Sequence, residues 1–102
     1  MTTRDRLSPE DISIGLAGLP GWALSDDGLA IEKTYRFPSF VEAFGFMSQS
    51  ALAAEKLDHH PEWFNVYNRV EVKLTTHSAK GVTALDLSLA ARMEKAASAA
   101  KP

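Results

Sequence analysis

The stretch His59-His60-Pro61-Glu62-Trp63-Phe64-Asn65-Val66-Tyr67-Asn68-Arg69-Val70-Glu71-Val72-Lys73-Leu74-Thr75-Thr76-His77 decides the fold. Two runs rich in β-branched and aromatic residues, Trp63 to Val66 and Arg69 to Thr76, flank Tyr67-Asn68 and read as a β-hairpin. Val70, Val72 and Leu74 alternate with Arg69, Glu71, Lys73 and Thr75, the period of a strand with one buried face. Counting outward from the turn places Thr75 opposite His60 and Thr76 opposite His59, with His77 one step beyond. One hairpin therefore gathers all three histidines of the chain at its open end.

Upstream of the hairpin, Ser39-Phe40-Val41-Glu42 is a capping box that starts a helix. Phe40, Phe44, Met47, Ala51 and Ala54 recur at helical spacing and are expected to be its buried stripe, next to a stripe of Val41, Ser48, Leu52 and Glu55. The helix is expected to stop near Leu57, because Pro61 lies ahead. Further upstream, Trp22–Ser25 and Leu29–Phe37 read as strands about the turn Asp26-Asp27-Gly28. A first short helix is capped by Ser8, has Pro9 in its first turn, and is closed by Pro20-Gly21. Downstream, His77-Ser78-Ala79-Lys80-Gly81 reads as a loop, and Thr83-Ala84-Leu85-Asp86 as a second capping box opening a last helix with Leu85, Leu89 and Met93 inward. The order α-β-β-α-β-β-α predicts an α+β fold, a four-stranded antiparallel sheet with helices packed on one face. One domain is expected over 1–102, with 1–6 and 97–102 disordered or frayed.

Composition narrows the chemistry. Among 102 residues there is no Cys, which removes disulfides, thiolate metal sites and thiol nucleophiles. A formal charge of -2 provides no basic field for direct nucleic-acid binding. No run approaches the about 18 apolar residues of a membrane span, and Met1 to Arg6 lacks a signal-peptide core, so no membrane association and a cytoplasmic location are expected. The histidines remain. An imidazole exchanges protons at neutral pH, and several on one pocket wall can divide the roles of acid and base, with Glu55 placed to orient one of them. The plainer reading makes each histidine a strand or loop cap. A metal site is disfavoured, since adjacent residues such as His59 and His60 point to opposite sides of an extended chain. Trp63, Phe64 and Tyr67 could stack on a flat heterocycle, with Phe64 favoured as core; Phe40, Phe44 and Phe46 are expected in core or interface.

The run Glu55 to Val70, with Thr75-Thr76-His77, Gly81, Thr83 and Asp86, and upstream Gly21-Trp22 and Ala43 to Met47, resembles the pterin-4a-carbinolamine dehydratases, also called 4a-hydroxytetrahydrobiopterin dehydratases. The resemblance spans roughly residues 20 to 95. It implies a hydro-lyase that converts 4a-hydroxytetrahydropterin, the product of pterin-dependent aromatic amino acid hydroxylases, into quinonoid dihydropterin and water, with no metal or organic cofactor. It implies His59, His60 and His77 as catalytic residues, His60 foremost, and Glu55 as support. Asp58, Thr75, Thr76 and Ser78 would line the pterin site with the histidines, and Asp86 would serve as a helix cap. It implies homodimers or homotetramers. It leaves two other roles open: dimerisation partner of a transcription factor, and a related protein of molybdopterin metabolism.

Overall fold

The fold is described from a computed structural model, for residues 4–99. In chain order the elements are α1 (Pro9–Leu16), β1 (Ala23–Leu24), β2 (Ile31–Arg36), α2 (Phe40–Leu57), β3 (Glu62–Val66), β4 (Arg69–Leu74), a short 3-10 turn (His77–Ala79) and α3 (Ala84–Ala99). The strands form one antiparallel sheet in the order β1-β2-β4-β3. Glu62 faces Lys73 and Val66 faces Arg69, the register counted from the Tyr67-Asn68 turn. Two side-chain amides hold that turn. Asn65 donates to the carbonyls of Tyr67 and Arg69, and Asn68 donates to the Phe37 carbonyl on the neighbouring strand. They fix Tyr67 in the left-handed region, at φ 49°, which a bulky residue seldom adopts.

The hairpin ladder starts at Glu62, not at His59. Pro61 has no N–H with which to continue it. The expected pairs of His60 with Thr75 and His59 with Thr76 are therefore not formed, and Thr76 bridges to Gly81 instead.

One sheet face carries the core. Ile31, Tyr35, Val70, Val72 and Leu74 are buried together with Ala43, Phe46 and Ala54 of α2 and Leu89 and Met93 of α3. Phe46 is fully buried, its ring 4.6 Å from Tyr35 and 5.1 Å from Phe37. Burial of a side chain this size contributes about 1.5–3 kcal/mol. The buried stripe of α2 is thus Ala43, Phe46, Ser50 and Ala54, one position round from the expected Phe40, Phe44, Met47 and Ala51. Phe40 and Phe44 are exposed, as is Leu52. Both stripes satisfy the helical period. Small side chains at Ala43, Ser50 and Ala54 let the helix approach its neighbours, and period alone does not rank two apolar stripes. Phe64, expected in the core, stands exposed on the open sheet face.

α2 ends before the influence of Pro61 is needed. Asp58 adopts the left-handed conformation at φ 51°, its N–H reaching the Glu55 carbonyl, while the His59 N–H reaches the Ala54 carbonyl. This is the paired hydrogen bonding of a Schellman turn, and it folds the chain back so that His59 tucks under the helix end. At the other terminus α3 continues through Ala99 and buries Ala96 and Ala97, so fraying does not begin at residue 97. Residues 4–6 also make contacts: Arg4 pairs with Asp58, and the stem of Arg6 lies over Gly81. Residues 1–3 and 100–102, expected to be frayed, lie outside the described residues.

A polar cluster ties α3 to the sheet. Glu94 accepts from Lys33 at 2.7 Å, from the Tyr35 hydroxyl, and from the Trp22 indole at 3.2 Å. Burial, reinforced by the Glu94 carboxylate, pushes the Tyr35 phenol far up, so it stays a donor. Burial alone would raise the Glu94 carboxyl, but hydrogen bonds from Lys33 and Tyr35 and the Lys33 charge outweigh it and hold the group below its usual range. Among the described residues no helix is long and apolar enough to cross a membrane.

Candidate active site

The site is built on Asp86. Its position follows from the second capping box: Thr83 precedes α3, and the Thr83 N–H donates to Asp86 Oδ2 at 2.9 Å. A cap uses one carboxylate oxygen and leaves capacity on both. The Thr76 hydroxyl donates to the same Oδ2 at 2.9 Å, and the Thr83 hydroxyl lies 2.8 Å from Thr76 Oγ1. Thr76 spends its one proton on Asp86, so Thr83 is the donor in the second contact. Asp86 Oδ1 then faces His59 Nε2 at 2.5 Å. Asp86 is wholly buried and His59 is 7% exposed. A buried carboxylate needs donors on every side, and here it has a backbone N–H, a hydroxyl and an imidazole.

The other two histidines repeat the pattern at the surface. His60 Nε2 lies 2.5 Å from Glu55 Oε1, and His77 Nε2 lies 2.9 Å from Glu62 Oε2. Their side chains are 56% and 84% exposed. All three imidazoles are therefore anchored through Nε2 on a carboxylate. An ionised carboxylate only accepts, so a neutral ring in each pair carries its proton on Nε2 and keeps a lone pair on Nδ1. Nδ1 has no protein partner on any of the three rings among the described residues.

The segments meet as follows. The Schellman turn at Asp58 delivers His59 inward and leaves His60 outward. The bridge between Thr76 and Gly81 holds the loop carrying His77, with Thr76 linked through Asp86 to His59. His77 returns to Glu62, the first residue of β3 and two positions past His60. A cleft of about 570 Å³ opens on this corner, lined by Thr75 and His77 with Arg6, Leu29, Ala30 and Lys80 among others. His59 and His60 are not among its lining residues. Of the other residues expected at the site, Thr76 has its hydroxyl turned inward onto Asp86 and Thr83, Asp58 is exposed and paired with Arg4, and Ser78 is exposed on the 3-10 turn. Among the described residues no group of His, Asp and Glu side chains is arranged to hold a metal ion.

Two residues were missed in the sequence. Asp86 was read as a cap alone, and the spare oxygen of a buried capping carboxylate was the signal that it holds something else. Glu62, which precedes the expected strand Trp63 to Val66 and was given no role, anchors His77; its place at the mouth of the hairpin, beside the expected histidines, was the available clue.

Comparison with known proteins shows the family. The family model described as pterin 4 alpha carbinolamine dehydratase matches residues 5–96. A protein of Rhizobium rhizogenes named "Putative pterin-4-alpha-carbinolamine dehydratase" is 61% identical over 93 residues, covering 91% of this chain and 92% of its own length. A relative of the same name from Novosphingobium aromaticivorans is 60% identical over 89 residues, covering 87% and 93%. Among solved structures, a transcriptional coactivator/pterin dehydratase from Brucella melitensis superposes with a TM-score of 0.89 at 52% identity, over 91% of this chain and 99% of that one. A pterin dehydratase-like protein described as a RuBisCO assembly factor of the alpha-carboxysome shares the fold at a TM-score of 0.66 and 19% identity, over 76% and 89%. With a family match over nearly its whole length, the chain belongs to the pterin 4 alpha carbinolamine dehydratase family.

Proposed function

We propose that the protein dehydrates 4a-hydroxytetrahydropterins to quinonoid dihydropterin by histidine acid–base catalysis. The observation that carries this reading is the set of three imidazoles, each anchored on a carboxylate through Nε2, with Nδ1 unpartnered among the described residues. The reaction needs two proton transfers. The 4a-hydroxyl leaves as water after accepting a proton, and N5 gives up its proton as the C4a–N5 double bond forms. A protonated imidazole supplies the first and a neutral Nδ1 lone pair takes the second. The carboxylates Asp86, Glu55 and Glu62 orient the rings and stabilise the imidazolium form as it arises. The sequence favoured His60 as the principal group. Burial and the double tie of Asp86 give His59 the most fixed orientation, so His59 joins His60 as a principal group, with His77 at the cleft. Thr75 lines the substrate cleft, and Thr76 acts through Asp86; Asp58 and Ser78 stay pterin contacts by resemblance alone.

In its reacting ring the substrate is a carbinolamine of the 4a-hydroxytetrahydrobiopterin type, supplied by an aromatic amino acid hydroxylase in the cytoplasm, with the C6 side chain left open. The test is dehydration of freshly formed 4a-hydroxytetrahydropterin, followed as quinonoid product. Folded protein that gives no acceleration over buffer would overturn the reading.

A second property rests on α2. Phe40, Val41, Phe44 and Leu52 are all exposed along one helix, an apolar patch of the kind that mediates association. Self-association into a homodimer or homotetramer through this face, and through the free edge of β3, is the assembly we propose. A binding role like that named for the coactivator relative would use the same face for a foreign helix. The mass of the pure protein in solution separates these: a monomer at micromolar concentration leaves the face for another partner.

A further inference from the structure

The cleft beside His77 has a charge pattern that dehydration of the ring does not require. Arg6, Lys73 and Lys80 line it together with Leu29, Ala30 and Thr75. Its two carboxylates are already engaged. Asp27 Oδ1 accepts from the Ser25 hydroxyl at 2.6 Å and the Leu29 N–H at 3.0 Å, and Glu62 holds His77. None of Arg6, Lys73 and Lys80 has a carboxylate within ion-pair distance among the described residues, although the Asp27 carboxyl, lowered first by the hydrogen bonds from Ser25 and Leu29, is lowered further by the Lys73 charge acting from farther off. Arg6 is held in place: its stem passes so close to Gly81 that a Cβ there would lie 2.6 Å from Arg6 Cδ, and its guanidinium makes a long contact, 3.4 Å, to the Lys80 carbonyl. Lys80 sits at φ 56° at the end of the 3-10 turn, its N–H bonded to the His77 carbonyl. The cleft thus has three cationic side chains around a partly apolar floor, in a volume of about 570 Å³ that suits a small ligand.

Taking the dehydration above as the reaction, the direction of the substrate follows from its connectivity. Water is lost across C4a and N5, and C6 is bonded to N5. With His77 taken as the imidazole that serves N5, a substituent on C6 leaves the ring on the side of the cleft. His77 is the histidine that lines the cleft with the cations. We propose that this cleft takes an anionic substituent at C6 of the pterin, a phosphate monoester or a carboxylate, and that Lys73, Lys80 and Arg6 select for it. Charge-assisted hydrogen bonds from these groups favour such a tail over a neutral one by about tenfold, less as salt screens them.

The experiment compares kcat/KM for three 4a-carbinolamines: one from 6-methyltetrahydropterin, one from a tetrahydropterin with a phosphorylated C6 side chain, and one from tetrahydrofolate, whose tail ends in carboxylates. At low ionic strength a charged-to-neutral ratio well above one is expected for at least one anionic substrate. That ratio should fall towards one at high salt, and in the double variant Lys73→Gln/Lys80→Gln and in Arg6→Gln. Whichever tail shows the larger ratio identifies the anion. A ratio at or below one for both tails, or one unchanged in all variants, overturns the proposal. Should no carbinolamine be dehydrated, the reaction itself fails, and the cleft is judged by equilibrium binding. Quenching of protein fluorescence by the phosphorylated and 6-methyl 7,8-dihydropterins must then show tighter binding of the anion, and equal affinities overturn the assignment.

Discussion

His59 Nε2 and Asp86 Oδ1 lie 2.5 Å apart in a pocket that leaves Asp86 no solvent exposure. The same carboxylate caps α3 through the Thr83 N–H and receives the Thr76 hydroxyl. One side chain therefore links the start of a helix, the segment that follows β4 and the histidine behind the Schellman turn.

Asp86→Asn separates these duties. The amide oxygen in the place of Oδ2 still accepts from the Thr83 N–H and the Thr76 hydroxyl, so the helix start survives, but the NH₂ group in the place of Oδ1 meets His59 Nε2 as a donor. His59 then loses its fixed tautomer. Dehydration should fall by about a hundredfold or more, the size of effect expected when a general acid–base group is misprotonated. Stability to urea should fall by only about 1–3 kcal/mol, the cost of a mispaired buried polar group. Measuring rate and urea midpoint on one preparation checks both, and loss of stability with an unchanged rate would reduce Asp86 to a cap.

The surface histidines should behave differently from His59. His60→Ala and His77→Ala remove exposed rings, so each should alter stability by no more than about 0.5 kcal/mol. Each should still lower the dehydration rate by about tenfold to a hundredfold. Steady-state rates beside denaturant curves test this, and a rate unaffected by both substitutions would restrict catalysis to His59.

Much of this arrangement could be read from the residues. The capping boxes at Ser39 and Thr83 and the turn at Tyr67-Asn68 are local signals, and each element they marked is present. Local signals do not carry depth. The apolar stripes of α2 differ by one position, and only the packing of small residues at Ala43, Ser50 and Ala54 decides which faces the core. The site was legible as a list of histidines but not as a set of pairs. Glu55 was expected to support a histidine, from its spacing to His59, and the ring it meets is His60, within the same chain segment. Asp86 with His59 and Glu62 with His77 depend on tertiary closure across 27 and 15 residues.

Acid should loosen the attachment of α3 in a predictable direction. The Glu94 carboxyl is held below its usual range, so its contribution to stability is fully present above its unfolded value, about 4.3, and is lost as pH falls through the lower folded value. Glu94→Gln removes that contribution at all pH values. Its urea midpoint should drop relative to wild type at about pH 7, and the two midpoints should converge at acid pH, below the lowered folded value. A constant difference at both pH values would show that Glu94 does not titrate with folding.

Phe44→Lys tests the exposed α2 face. A charge on that patch should lower the solution mass towards the monomer while leaving the core, which Phe44 does not enter, intact. Light scattering at matched concentration reads the result. An unchanged oligomer would place the interface elsewhere, and a wild-type monomer would leave the face to a foreign partner.

The most direct test of the central claim is the dehydration of freshly generated 4a-hydroxytetrahydropterin at neutral pH by the wild-type protein beside His59→Gln. Three carboxylate-anchored imidazoles predict a clear acceleration over buffer that falls by about a hundredfold or more in the folded variant. Wild-type protein that is folded and no faster than buffer, or a folded His59→Gln as fast as wild type, would contradict it.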